Sequence, residues 1–184
     1  MIEISTDRLI IRPLKTTDYE SWFKGFSQRQ PSQNPFDEGL LDMSICTQEW
    51  FNELVQKHDA LRQADDTYIF AIFDKKTQHH IGMIDIATLA RANMNWGEIG
   101  YFIHNQLWRK GYAFEALTAI LKLASNELGF HRIEAHVSIP NTPSQELLKK
   151  LGFSFETTRE KFMFEFGEWA DKKVYFYNLN NTNL

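Results

Sequence analysis

The sequence predicts an α/β (α+β) protein, a mixed sheet with helices in a single domain spanning residues 1–184. Three observations carry that prediction. Short apolar runs alternating with period two, such as Ile133, Ala135 and Val137, mark strands. Longer runs repeating every three or four residues, such as Phe114, Leu117, Ile120, Leu121 and Ala124, mark helices. The 184 residues suit one domain and are enough to bury a sizeable core, and the chain carries no internal repeat, low-complexity segment or linker.

In order, Arg8 to Leu14 reads as a strand, and Thr17-Asp18 caps a helix carrying Tyr19, Trp22, Phe23 and Phe26. Gln30 to Asp42, broken by Pro31, Pro35 and Gly39, is a loop. Thr47-Gln48-Glu49 begins a second helix, with Trp50, Phe51, Leu54, Val55 and Leu61 on its apolar side. Thr67 to Phe73 and His80 to Thr88 are strands joined by a turn through Lys75, Lys76 and Gln78. Ala90 to Asn95 turns into a central strand with Ile99, Tyr101, Phe102 and Ile103, followed by a helix whose apolar face runs from Ala113 to Leu128. Arg132 to Ser138 is the next strand. Ser144 to Lys150 is a short helix closed by Gly152 as its cap. Phe153 and Phe155 enter a further strand, and Lys173 to Leu179 is the last before a polar end at Asn180–Asn183. The order is β-α-α-β-β-β-α-β-α-β-β.

Composition excludes several classes. With 43% hydrophobic residues the chain is globular rather than disordered, and a net charge of −4 argues against broad nucleic-acid binding. Cys46 is the sole cysteine, so there is neither an intramolecular disulfide nor a cysteine metal cluster, and it reads as a small buried hydrophobe. No metal site is expected. No apolar run approaches membrane-spanning length and no signal-peptide core opens the chain, so the expectation is a soluble, cytoplasmic protein without a membrane partner.

The chemistry concentrates between the central strand and its helix, at Arg109-Lys110-Gly111-Tyr112-Ala113. Gly111 permits a backbone conformation closed to other residues and leaves room for a ligand. The first helical N–H groups lack partners and carry partial positive charge, and Arg109 and Lys110 add full charges. Such a turn suits a phosphate or pyrophosphate. A solvated loop at a helix start is the competing reading. The turn is neither a Walker loop nor a dinucleotide fingerprint.

Three separated pieces resemble the GNAT superfamily of acyl-CoA-dependent N-acetyltransferases, and within it the ribosomal-protein N-terminal acetyltransferase branch. They are Thr6 to Leu14, then Gly100-Tyr101 with Trp108 to Ala113, then Asn141-Thr142-Pro143-Ser144 with Leu147-Leu148 and Lys150 to Phe153. The resemblance implies a GNAT fold with helices on both faces of a mostly antiparallel sheet. It further implies that the fourth and fifth strands, Gly97 to His104 and Arg132 to Ser138, splay apart around the cofactor arm. Acetyl-CoA is then the co-substrate. Backbone groups of Phe102, Ile103 and His104 pair with the pantetheine amides, Arg109 to Ala113 hold the pyrophosphate, and Asn141 belongs to the second cofactor motif. Trp108 is assigned to packing rather than to phosphate.

The implied reaction is direct attack of a neutral amine on the thioester, helped by a base and by an acid for the leaving thiolate. Glu98 stands where several members carry their base, with a surface strand-end carboxylate as the competing reading and His104 as second candidate. Many members place a tyrosine acid where this chain has Leu148; the resembled branch often uses a serine, matched by Ser144. Ser144 also fits a helix-start hydroxyl that satisfies free N–H groups near Gln145 to Leu147.

The acceptor is a primary amine, with the α-amine of a protein N-terminus, such as a ribosomal protein's, as first choice. A small amine (polyamine or antibiotic) and a non-catalytic acyl-CoA-binding module remain open alternatives. The loop Gln30 to Asp42 and the segment Glu160 to Lys172 resemble the acceptor-side regions. They carry Asp37, Glu38, Asp42, Glu165, Glu168 and Asp171, which suit a cationic amine or are solvated loop charges. Phe36, Phe162, Phe164, Phe166 and Trp169 wall the site or pack. Both monomer and homodimer fit the sequence.

Overall fold

A computed structural model describes residues 2–165 and 167–179, so Phe166 and Asn180–Asn183 lie outside the described residues. The hydrogen-bonded order of the strands is β1-β2-β3-β4-β5-β6-β8-β7, where β1 is Ile4–Ser5, β2 Leu9–Arg12, β3 Thr67–Asp74, β4 His80–Ala90, β5 Trp96–Ile103, β6 Arg132–Ser138, β7 Ser154–Glu165 and β8 Glu168–Asn178. Four α-helices accompany them: α1 Tyr19–Ser27, α2 Gln48–Gln63, α3 Tyr112–Asn126 and α4 Thr142–Lys150. Beyond the sequence expectation are β1 and two short 3-10 turns at Thr16–Asp18 and Asn105–Leu107. The residues group into two compact units: those up to Ala87 with Gly100–Ile120, and Thr88–Ile99 with those from Leu121 onward.

In the first unit β2 pairs antiparallel with β1 and with β3, from Leu9↔Asp74 to Arg12↔Ala71, and β3 pairs antiparallel with β4. The core gathers Leu14, Trp22, Cys46, Phe51, Val55, Ala71 and Phe73. Cys46 is buried as expected, and burial pushes its thiol pKa up, away from a nucleophile's range. Thr47 caps α2 by accepting the Trp50 N–H at 3.2 Å.

Asp18 stands at the N-cap of α1 as expected, but its side chain makes no capping bond to that helix. The 3-10 turn leaves Asp18 in a helical conformation, φ −87° and ψ −3°, instead of the extended backbone of a cap. Its carboxylate instead receives Arg12 Nη1 and Nη2 at 2.7 and 2.9 Å and the Lys15 N–H at 2.7 Å.

In the second unit β5 and β6 pair in parallel through Trp96↔Arg132, Gly97↔Ile133 and Glu98↔Glu134. β8 pairs antiparallel along β6 from Arg132↔Asn178 to Ser138↔Lys172, and β7 pairs with β8. Helix α3 stops at Asn126, so Leu128 lies past its end; Gly129, at φ +69°, takes the backbone out of the helix.

Helix α4 begins two residues before the expected Ser144, because Asn141 caps it: Asn141 Oδ1 accepts the Ser144 N–H at 3.3 Å. At its far end Leu151 is the cap, and Gly152 stands one residue beyond it at φ +92°. Gly152 N–H bonds Lys149 O at 3.0 Å and Phe153 N–H bonds Leu148 O at 3.0 Å, the paired bonds of a Schellman end.

Candidate active site

The candidate residues belong to both units and are taken unit by unit. In the first, the turn before α3 uses two left-handed residues, Arg109 at φ +61° and Gly111 at φ +78°. Arg109, Lys110 and Gly111 are exposed, while Tyr112 and Ala113 are half-buried. Helical geometry leaves the first N–H groups of α3 without intrahelical acceptors.

An acidic residue, Glu115, sits in the first helical turn and would repel an anion if left bare. It is not bare. Its Oε1 accepts Thr6 Oγ1 at 2.6 Å and the Arg8 N–H at 2.9 Å, and Oε2 accepts Arg8 Nε at 2.6 Å. Burial favours its neutral form, but the bonds from Thr6 and Arg8 outweigh it and hold the Glu115 carboxyl below its ordinary pKa. Arg8 Nη1 also donates to Lys110 O at 2.9 Å, and its guanidinium lies 4.7 Å from the Tyr112 ring centre. The turn therefore keeps its net positive character, and Arg8 braces it. A Cβ on Gly111 would meet Arg8 Nη2 at 3.4 Å, an ordinary contact, so the demand for glycine there is conformational.

The end of β5 is built just as closely. The Trp108 indole donates to Ile103 O at 2.6 Å, a packing role rather than a phosphate contact. His104 N–H donates to Ile81 O at 2.9 Å, and His104 O accepts the Leu107 N–H at 2.8 Å. A Cβ on Gly82 would lie 2.2 Å from Phe102 O, so glycine lets β4 approach there. His104 lies just past β5 with a fully buried ring, its Nε2 2.9 Å from Nδ1 of His80. Burial, helped by the charge of Arg29, lowers its pKa to about 3. An inward imidazole of that kind is a poor base for a solvent-borne amine.

In the second unit Glu98 on β5 exposes 28% of its side chain and places Oε1 2.8 Å from His136 Nδ1, a pair that becomes an ion pair when the ring is protonated. Ser144 is half-buried in the first turn of α4. The Ser144 N–H is itself bonded by Asn141 Oδ1, which caps α4. Leu148, which stands where the resemblance would have placed a tyrosine, is fully buried.

The acidic acceptor-side reading is corrected for part of its set. Asp37 is buried, and it holds its loop by accepting from Arg29, Asn105 Nδ2, and the Gln33 and Gly39 N–H groups at 2.9–3.0 Å. Burial works against its charge, yet these bonds, Asn105 foremost, lower its pKa. Asp171 accepts the Lys161 N–H at 2.8 Å, and Glu165 pairs with the buried Lys172. Glu38 and Glu168 are exposed, as are Phe164 and Trp169, whose rings meet edge to face at 5.6 Å.

Two side chains escaped the sequence reading. Arg8 stood inside a strand motif, and its partner is 107 residues away. His136 stood on the face of β6 opposite the apolar alternation. The period-two complement Glu134, His136, Ser138 was the signal of a polar strand face.

Residues 8–154 match the family described as acetyltransferase (GNAT) domain. The chain is 32% identical over 172 residues to the uncharacterized N-acetyltransferase YoaA of Bacillus subtilis, covering 94% of each. It is 25% identical over 170 residues to the [ribosomal protein uS5]-alanine N-acetyltransferase of Escherichia coli, covering 92% of this chain and 87% of that one. Among solved structures, Mycobacterium smegmatis RimJ in complex with CoA-disulfide superposes with a TM-score of 0.78 at 20% identity, over 96% of this chain and 84% of that one. At that identity the likeness speaks for the fold.

Proposed function

The chain belongs to the GNAT acetyltransferase family, and from that membership we propose that it works as a single domain moving an acetyl group from acetyl-CoA to a primary amine. The first choice of acceptor is the α-amine of a protein N-terminus, such as that of a ribosomal protein, in the cytoplasm. The sequence relationship to the uS5-alanine enzyme supports that choice.

The observation that carries the donor side is the braced turn: exposed Arg109 and Lys110, left-handed Gly111, the head of α3, and Glu115 neutralised by Arg8. Acetyl-CoA would supply an activated thioester. The N–H groups from Arg109 to Ala113 would hold its pyrophosphate, and backbone groups of Phe102 and Ile103 at the end of β5 would pair with the pantetheine amides. Glu98, partly exposed beside His136, takes the amine's proton. Ser144 is the side chain assigned to protonating the thiolate, and Asn141 shapes that motif by capping α4.

Two measurements test the proposal. Gly111→Val forces a β-branched residue into a left-handed conformation, at a cost of roughly 1–2 kcal/mol or more. Calorimetry should therefore find CoA bound about tenfold or more weakly, and unchanged affinity in the folded variant would remove the turn from the site. Thiol release from acetyl-CoA across a panel of amines and N-terminal peptides should favour peptides beginning with Ala or Ser. Turnover of polyamines alone would reassign the acceptor, and CoA binding without any turnover would make the chain a binding module.

A further inference from the structure

Behind Glu98 lies a row of buried polar groups that cofactor binding does not use. His136 Nδ1 faces Glu98 Oε1 at 2.8 Å, and His136 Nε2 faces Glu134 Oε2 at 3.2 Å. The imidazole exposes 3% of its side-chain surface and Glu134 2%, against 28% for Glu98. One end of the row meets solvent and the other is sealed.

We infer that Glu98 and His136 act as one base, in which Glu98 meets the acceptor's ammonium and passes its proton to Nδ1 of His136, while Glu134 orients the ring through Nε2. The inference rests on the proposed reading of Glu98 as the group that meets the amine. An N–H bond of the ammonium breaks and its electron pair stays on nitrogen, ready to attack the thioester. An N–H bond forms at Nδ1, Glu98 ends as the carboxylate it began as, and the positive charge moves from the ammonium to the imidazolium. The proton later returns to solvent through Glu98. With its proton on Nε2 the ring donates to Glu134 and leaves Nδ1 open, and the relay runs through that tautomer; Arg159 Nη1, which can only donate, favours Nε2 as an acceptor instead and so competes with it.

The division of labour has a physical reason. A partly solvated carboxylate ordinarily holds a proton only near pH 4, whereas an imidazole does so near neutrality, where a general base is most effective. Here burial disfavours the imidazolium, but Glu98 and then Glu134 outweigh it, so His136 keeps its proton to higher pH than an ordinary histidine.

The other charged neighbours have defined partners. From β7, Arg159 places Nη1 3.2 Å from His136 Nε2 and Nη2 3.3 Å from Glu134 Oε2, and its charge opposes the imidazolium. Arg132 binds Glu134 Oε1 through Nε and Nη2 at 3.0 and 2.8 Å and reaches Glu156 on β7. On β8, Val174 stands opposite His136, and Lys172, opposite Ser138, is bonded to Ser138 Oγ and Glu165. The Phe162 ring meets the imidazole edge-on at 5.1 Å. His136 is therefore a positioning and relay residue that acts through Glu98.

The test compares the unmodified enzyme with Glu98→Gln, His136→Gln and Glu134→Gln, using acetyl-CoA and an alanine-initiated peptide. It is joined by nitrogen NMR titration of His136 in the protein without substrate. The unmodified enzyme should gain kcat/KM with pH through an inflection above the ordinary histidine value. His136→Gln should lose that inflection and on the order of 10²-fold in kcat, with CoA affinity unchanged. Glu134→Gln should keep the inflection but shift it to lower pH, and Glu98→Gln should lower the NMR midpoint of His136. Loss of turnover in Glu98→Gln alongside an unaltered profile in His136→Gln would overturn the relay and leave Glu98 as base. Unchanged turnover in both variants would overturn the reading of Glu98 and the relay with it. An NMR midpoint indifferent to Glu98→Gln would overturn the coupling even where a variant fails to turn over.

Discussion

The His80–His104 pair of the first unit and His136 of the second use the same side chain, and their surroundings shift its pKa in opposite directions. His80 and His104 touch each other and are ringed by Phe26, Phe73 and Phe102. With no carboxylate partner between them, burial decides: His80 is driven well below the ordinary histidine pKa, and His104 to about 3. His136 is less deeply buried, with 3% of its side chain exposed, and it lies between two carboxylates, so its pKa rises. Burial strips a proton from an imidazole, and paired carboxylates give it back. The first arrangement is aromatic packing, while the second sets an imidazole between two carboxylates.

The largest way to break this contrast is acid. His80 and His104 have folded pKa values below the unfolded value near 6.5, so their contribution is complete above that pH and is lost as pH falls through the window below it. For His104 the window extends to about 3. Each histidine should cost about 1.4 kcal/mol per pH unit within its window. Urea unfolding followed from pH 7 to pH 5 should show a steep decline, and a flat profile would mean that the pair is protonated or solvated when folded.

Next in size is Gly25→Ala. In an ordinary helix interior alanine is better than glycine by roughly 0.5–1 kcal/mol. Gly25 is on α1, where a Cβ would lie 2.7 Å from His104 Nε2 and 3.1 Å from His80 Nδ1. Overpacking of that kind costs typically about 1–3 kcal/mol, so the sign should reverse. A rise in melting temperature would show that the imidazole pair yields easily.

The distinction between a structural partner and a reactive group also separates Asn141 from Ser144. Asn141→Ala should lose roughly 0.5–2 kcal/mol through the missing cap. Ser144→Ala should lose turnover by roughly 10²–10⁴-fold if the hydroxyl is the acid. Thermal melts paired with thiol-release rates read both, and stable, fully active Ser144→Ala would leave protonation of the thiolate to water.

The smallest expected effect sharpens the contrast from the alkaline side. His136 has a raised folded pKa, so its stabilising share is present below the unfolded value near 6.5 and disappears as pH rises through the raised one. The stability gap between the protein and His136→Gln should narrow between pH 6 and pH 9, by on the order of 1 kcal/mol or less. A constant gap would mean that the carboxylates do not hold the ring's proton.

Local chemistry was legible in the sequence wherever neighbours in the chain decide it. The bounds of β6 were read to the residue, and Gly111 and Gly152 were singled out before their positive φ angles were known. Ends fixed by distant or competing partners were misread: Asp18 is claimed by Arg12, and α4 is capped from Asn141 rather than begun at Ser144. The two-residue β1 is too short to show a period. Burial was the hardest to read, because nothing near Asp37 in the chain says that Asn105 will draw it inward, and nothing near His80 announces His104.

The brace between Arg8 and Glu115 has a consequence in time. The two residues are 107 positions apart, and a ribosome adds roughly 5–20 residues per second. For about 5–20 s of synthesis, Arg8 is therefore already made while its carboxylate partner is not. During that interval the guanidinium is open to whatever anions surround the growing chain, and the turn reaches its finished form only when residue 115 folds back onto the strand that left the ribosome first.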